Sequence, residues 1–340
     1  MKKFKSIELF AGAGGLALGL EEANFEHIGL VEFNKDAALS IKTNRPQWKV
    51  LCEDVRDVVS RNLLEEFNLK VGELDLLSGG APCQSFSYAG KRLGLDDVRG
   101  TMFFYYATFL KELQPKMFLF ENVKGLLTHD QGKTYKTILG IFEEQGYKVT
   151  YKVLNAWNYG VPQKRERLIT IGIRNDLAET LKFNFPTEQD YKPTLRDIKL
   201  DSNPSKDECL FYSDYKANIF KLVPPGGYWR DIDQNIAKEY MKTCYEMGGG
   251  RTGILRRLSL DEPSLTVLTS PGMKQTDRCH PLEVRPFTFR ENARIQTFPD
   301  NWEFCGKLSE KYKQVGNAVP VNLAKAIGDE IYNTLSQEKH

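Results

Sequence analysis

The chain has 340 residues, 41% hydrophobic and 27% charged, with a formal net charge of +2. These values suit a soluble protein of one large and one smaller domain, and they exclude a global basic field as the means of holding a nucleic acid. No run approaches the roughly 20 apolar residues of a membrane span, so no membrane partner is expected.

Cysteines at 52, 83, 209, 244, 279 and 305 form no CxxC pair, and the four histidines are scattered, so no metal site is expected. Thiols so dispersed read as reduced, in a cytoplasmic protein. Lys2, Lys3 and Lys5 precede an apolar stretch, as in a signal peptide. Glu8 and the glycines from 12 to 19 fit a strand–turn–helix better.

The first half alternates strand-like and helix-like segments, which predicts a parallel α/β sheet. Residues 7–10 read as a strand, 16–23 as a helix, 27–33 as a strand and 35–43 as a helix. A polar turn at 53–54 opens a helical stretch to about 67, and 74–78 is the next strand. Helices are predicted over 102–113 and 134–145, a strand over 116–120, and sheet-edge strands over 147–155 and 168–173. Beyond about 190 the periodicity weakens and turns multiply, at 224–227, 248–250 and 271–272. An amphipathic helix over 321–335 returns to the first lobe.

The turn at 10–17 follows a strand and opens a helix, with Gly12, Gly14 and Ala17 in the small positions of a nucleotide-binding fingerprint. Its glycines admit a ligand to the backbone, and the helix start offers free N–H groups. Glu32, twenty residues beyond Gly12, is placed to accept both ribose hydroxyls of a nucleoside. Phe33 offers a ring to an adenine and Asp54 an acceptor to its amino group. NAD and S-adenosylmethionine (AdoMet) fit this pattern equally.

The segment Gly79-Gly80-Ala81-Pro82-Cys83-Gln84 leaves the strand at 74–78. Loops at the carboxyl ends of such strands line the ligand crevice, and a thiol on a rigid turn there is placed as a nucleophile. Three clusters follow it: Asp97-Val98-Arg99-Gly100, Glu121-Asn122-Val123 and 163–167, with two arginines at 165 and 167. Gly316-Asn317-Ala318-Val319-Pro320 stands near the C-terminus.

In this order, behind the glycine turn, these segments closely resemble the DNA (cytosine-5) methyltransferase family of bacterial restriction–modification systems. The resemblance spans the chain except about 190–255. Ala81 departs from it, since relatives usually carry a bulkier residue or proline there.

The resemblance implies a Rossmann-like AdoMet-dependent catalytic domain over 1–191 and 314–340, a target-recognition domain over 192–285, and a hinge over 286–313. It implies Cys83 as the nucleophile at C6 of cytosine, Glu121 as a protonated acid at N3, and Arg165 on the ring's O2. AdoMet would be lined by Phe10, Gly12, Ala13, Gly15, Leu16, Glu32, Phe33, Asp54, Val55, Pro82 and Asn317.

A thiol on a loop cannot reach a stacked base, so the cytosine must be flipped out of double-stranded DNA. Ser87, Arg99 and Arg167 are the expected DNA contacts near the site, with residues 86–100 closing as a lid. Arg230, Arg251, Thr252, Arg256, Arg257 and Lys274 are the candidate readers in the second lobe. Residues 192–285 hold 15 basic and 13 acidic side chains, so a binding face there must come from clustering.

The expected enzyme is a monomer, and a restriction endonuclease acting on the same site is the candidate partner. A tRNA cytosine-5 methyltransferase of the same family is the alternative reading. An inactive DNA-binding relative would not retain Cys83, Glu121 and Arg165 together, and an NAD-dependent dehydrogenase leaves Pro82-Cys83 and Asn317 unexplained.

Overall fold

The computed structural model describes residues 2–82, 101–246, 252–272 and 276–338. Its first half runs β1 (Phe4–Leu9), α1 (Gly15–Glu22), β2 (Phe25–Val31), α2 (Lys35–Asn44), β3 (Val50–Leu51), α3 (Val55–Val59), α4 (Leu63–Glu66) and β4 (Leu76–Gly79). It continues through α5 (Met102–Leu113), β5 (Met117–Val123), α6 (Lys133–Glu144), β6 (Tyr147–Asn155), β7 (Gln163–Lys164) and β8 (Glu166–Arg174). Shorter elements follow: α7 (Asp214–Phe220), α8 (Gln234–Met241), α9 (Thr243–Glu246), β9 (Arg256–Arg257), β10 (Ser264–Leu265) and β11 (Arg278–Cys279). The chain closes with α10 (Phe289–Ile295), α11 (Leu308–Asn317) and α12 (Val321–Leu335).

Seven strands form the main sheet in the order β3-β2-β1-β4-β5-β8-β6. β1 to β5 pair in parallel, as predicted, and β8 runs antiparallel to both β5 and β6. β8 therefore sits inside the sheet, where its unbroken buried run needs cover on both faces. The helix predicted from 54 to 67 is interrupted. Asp54 caps α3, and Asn62 stops the turn and caps α4 by accepting from the Leu64 and Glu65 amides.

Strand periodicity sorts the core into layers. Ile7, Leu9, Leu77, Phe118 and Phe120 pack under α5 and α6, against Phe103, Tyr106, Ile138 and Phe142. Phe4, Leu76, Met117, Leu119, Ile169 and Ile171 face the other way, onto Leu16 and Leu20 of α1 and Leu323, Ile327 and Ile331 of α12. A third cluster joins Ala11, Ala17 and Ile41 to Phe287, Phe289, Trp302 and Tyr312, so much of 286–313 packs as core. A fourth is drawn from 219–279 alone, around Phe220, Trp229, Tyr240 and Met241. Among the described residues, no helix is long and apolar enough to cross a membrane.

The chain leaves β1 toward β2 on one side and reaches β4 on the other. In an open α/β sheet the ligand crevice lies outside the carboxyl ends of the strands, at this reversal.

Candidate active site

The turn leaving β1 has left-handed backbone at Phe10 (φ 58°) and Gly12 (φ 56°). It turns the Gly12 amide toward β2, where Glu32 Oε2 accepts it at 2.7 Å, while Glu32 Oε1 accepts the Asn34 amide at 2.7 Å. Burial raises the pKa of this carboxyl, against the lowering effect of the Asn34, Gly12 and Phe33 amides. Each oxygen keeps acceptor capacity, so the tethered carboxylate can still take a pair of hydroxyls.

The surroundings fit the nucleoside of AdoMet. A β-carbon at Gly12 would meet nothing within 4 Å, and the Phe33 ring is 71% exposed. Ala13, Gly15, Leu16 and Val55 are buried beneath, and Asn317 is exposed at the end of α11. Asp54 is partly occupied. Its Oδ1 accepts the Arg56 amide and Nε, and its Oδ2 accepts a terminal guanidinium nitrogen at 2.7 Å. Arg56 thereby holds this carboxyl below its usual range, and acceptor capacity for an adenine amino group remains on Oδ2.

Glu121 stands near the end of β5. In the β5–β8 register Glu121 faces Ile169 and Val123 faces Arg167, so Glu121 and Arg167 are diagonal neighbours on one face. Glu121 Oε1 meets Arg167 Nε at 2.8 Å, with both side chains mostly buried. Gly80 of the loop leaving β4 closes against the other oxygen: a β-carbon there would lie 2.7 Å from Glu121 Oε2. Next to it, Asn122 Nδ2 donates to the Ala81 carbonyl at 2.9 Å and pins the loop at the residue before exposed Pro82. Cys83, Ser87, Arg99, Arg251 and Lys274, all singled out from the sequence, lie outside the described residues.

Arg165, expected on the ring's O2, is placed by the structure in the interior. Its side chain is buried, and its guanidinium donates to the carbonyls of Val267 (3.2 Å), Gly316 (2.8 Å) and Ala318 (3.0 Å). Burial, then the neighbouring Arg167, pushes its pKa well below the ordinary arginine value, with Glu121 opposing. Arg167, expected as a DNA contact, is the arginine that meets Glu121. The two arginines stand two residues apart, Arg165 between β7 and β8 and Arg167 in β8, so nothing in their spacing distinguishes them.

A further carboxyl, read from the sequence only as a break in an apolar stretch, is buried beside this site. Glu8 of β1 faces Ser78 of β4 in register and is 1% exposed, with no hydrogen-bond partner for Oε2 among the described residues. Burial raises its pKa well above the usual range, Glu32 and Glu121 add to this, and a Ser78 hydrogen bond opposes it.

Among the candidate DNA readers, Arg230 is exposed, with its guanidinium 4.9 Å from the Trp229 ring centre, and Thr252 is exposed. Arg256 lies 5.6 Å from the Tyr228 ring centre and 3.6 Å from Glu262, and Arg257 donates to the Val223 carbonyl at 3.2 Å. Arg278, which sequence reasoning missed, pairs in register with Arg256 between β11 and β9. The Nε atoms of all three are buried without a hydrogen-bond partner among the described residues.

The family described as C-5 cytosine-specific DNA methylase matches this chain over residues 4–333. The type II methyltransferase M.Sau96I of Staphylococcus aureus is 52% identical over 99% of this chain and 77% of its own. M.Eco47II of Escherichia coli, also a type II methyltransferase, is 50% identical over 97% of this chain and 79% of its own. In fold, DNMT2 of Spodoptera frugiperda superposes with a TM-score of 0.65 at 19% identity, over 97% of this chain and all of that one. The chain belongs to the C-5 cytosine-specific DNA methylase family and is a DNA cytosine-5 methyltransferase.

Proposed function

We propose that this enzyme methylates carbon 5 of one cytosine within a specific duplex sequence, through a transient bond from Cys83 to C6, in the modification arm of a type II restriction–modification system. The reading is supported above all by the Glu121–Arg167 pair, which lies against Gly80, three residues before Cys83. The names of the type II relatives supply the restriction–modification context, with a restriction endonuclease on the same site as the functional partner.

Carbon 5 of cytosine is too poor a nucleophile to attack a methyl donor until a thiolate adds at C6. Cys83 supplies the thiolate, and Glu121 delivers a proton to N3 as the C6–S bond forms. Arg167 orients Glu121 through Nε while its Nη1 donates to the Glu166 carbonyl at 2.8 Å, and Nη2 steadies charge at O2. AdoMet supplies the electrophilic methyl group when bound. Glu32 would hold its ribose, Phe33 and Asp54 its adenine, and the 10–16 turn with Val55, Pro82 and Asn317 the remainder. The C5 proton then leaves to water, the C6–S bond breaks, and the N3 proton returns to Glu121.

The target base leaves the duplex to reach this pocket, at a cost of a few kcal/mol recovered from phosphate and base contacts. Arg230, Thr252, Arg256 and Arg257, within a recognition domain over 192–285, read the flanking bases. Arg256→Ala should relax site preference in bisulfite sequencing of treated DNA, and an unchanged preference removes it from the readers.

The same sequencing of wild-type reactions identifies the site. A duplex with 5-fluorocytosine there should trap a denaturation-resistant adduct with wild-type protein and none with Cys83→Ser. Methyl transfer by Cys83→Ser at the wild-type rate rules the proposal out, and transfer to tRNA in place of duplex DNA rules out the substrate.

A further inference from the structure

Arg165 is a buried cation that the reaction does not use. No carboxylate pairs with it among the described residues, and its partners are three backbone carbonyls. Burying a charge against neutral acceptors is a costly way to fill space, since apolar side chains of similar volume are often as stabilising. What a planar guanidinium adds is geometry: a rigid fork that holds two segments at a set spacing.

The two segments are informative. One is Val267, just past β10, in the proposed recognition domain. The other is Gly316 and Ala318, on either side of the proposed cofactor residue Asn317.

Two fully buried glutamines complete the joint. Gln163 Oε1 accepts the Val267 amide at 2.7 Å, and Gln163 Nε2 donates to Gln296 Oε1 at 2.7 Å. Gln296 Nε2 in turn donates to the carbonyls of Val315 (2.8 Å) and Ala318 (3.0 Å). Val267 is thus held at both its N–H and its C=O by side chains of one short stretch, 163–165. β7 of that stretch pairs with β10, and β8 begins just beyond it and carries Arg167. Backbone meets backbone at the same place: a β-carbon on Gly316 would stand 2.5 Å from the Leu268 carbonyl. Neither segment can shift without breaking bonds in a dry interior, where unfilled polar groups are expensive.

We infer that Arg165, with Gln163 and Gln296, is a positioning residue that couples the seat of the recognition segment to the Asn317 loop, so that duplex DNA and cofactor raise each other's affinity. The inference rests on the proposed assignment of AdoMet and DNA to these two segments. Coupling between two sites is reciprocal, and a single joint shared by both can carry it.

The test uses S-adenosylhomocysteine as probe, titrated by calorimetry into the full-length enzyme, alone and with saturating duplex bearing the methylated site. For wild type the duplex should tighten the probe by about fivefold or more. In Arg165→Lys, which keeps the charge and loses the fork, the tightening should shrink to less than about twofold, while affinity without DNA changes little. Gln163→Met breaks the same joint without touching the charge and should act alike if Arg165→Lys does not fold. A merely structural role would lower the melting temperature and weaken both affinities with the tightening intact, and that result overturns the inference. So does a wild-type enzyme that binds both ligands with no tightening. A wild-type enzyme that binds no probe at all refutes instead the cofactor assignment beneath it.

Discussion

Gly80 and Glu121 are in contact at closest approach: a β-carbon at position 80 would lie 2.7 Å from Glu121 Oε2 and 2.9 Å from its carbonyl oxygen. The end of β4 and the end of β5 therefore fit together only if residue 80 has no side chain.

Gly80→Ala is accordingly expected to push Glu121 off its pairing with Arg167. Catalysis depends on sub-ångström placement, so methyl incorporation should fall by about 10²-fold. Thermal unfolding should move by only a few degrees, since the contact lies at the rim of the sheet. Wild-type turnover in Gly80→Ala would mean that Glu121 has room to relax.

The two arginines should separate cleanly. Arg167→Ala removes an oriented donor beside Glu121 and should cost about 10²-fold in kcat with a small change in melting temperature. Arg165→Ala removes a donor from three buried carbonyls, of which Ala318 keeps Gln296 Nε2, and should destabilise the fold by about 3 kcal/mol. Methyl transfer measured alongside denaturant unfolding checks both. Equal stability losses in the two variants would undo the distinction.

Glu8 predicts a pH dependence of stability. Its carboxyl has a raised pKa in the folded protein, through burial first and Glu32 second, and an ordinary one when unfolded. Above the unfolded value the unfolded chain gives up this proton while the folded protein keeps it. Its contribution to stability is therefore lost as pH rises from about 4.5, by about 1.4 kcal/mol per pH unit until the folded group also ionises. Glu8→Gln removes that slope. The variant should gain on wild type as pH rises above about 4.5 in denaturant titrations, and a pH-independent difference would contradict the buried neutral acid.

Glu32→Ala should weaken S-adenosylhomocysteine binding by about 10²-fold, because both ribose hydroxyls lose a charged acceptor and the Gly12 amide loses its tether. Phe33→Ala should cost about tenfold through lost stacking on the adenine. Calorimetric titration reads both, and unchanged affinity in Glu32→Ala would dissociate this crevice from the cofactor.

Much of this enzyme was legible in the chain alone. Strand and helix segments of the first half follow from apolar periodicity, and 102–113 and 321–335 coincide with α5 and α12. Gly12 and Glu32 stand out because a turn and a strand end each demand particular residue types at particular spacings, whereas Asn317 comes only with the family resemblance. Such signals are local, carried by near neighbours in sequence. What pairs with what across the sheet is not local. Arg165, between β7 and β8, and Arg167, in β8, are two residues apart and of the same type, yet Arg167 meets Glu121 and Arg165 binds carbonyls about 100 and 150 residues away. The same holds for the antiparallel insertion of β8 between β5 and β6, and for Glu8, whose burial depends on α1 and α12 closing over its face. Side-chain partners across a sheet are set by register and by the layers packed upon it, and these exist only once the distant segments have come together.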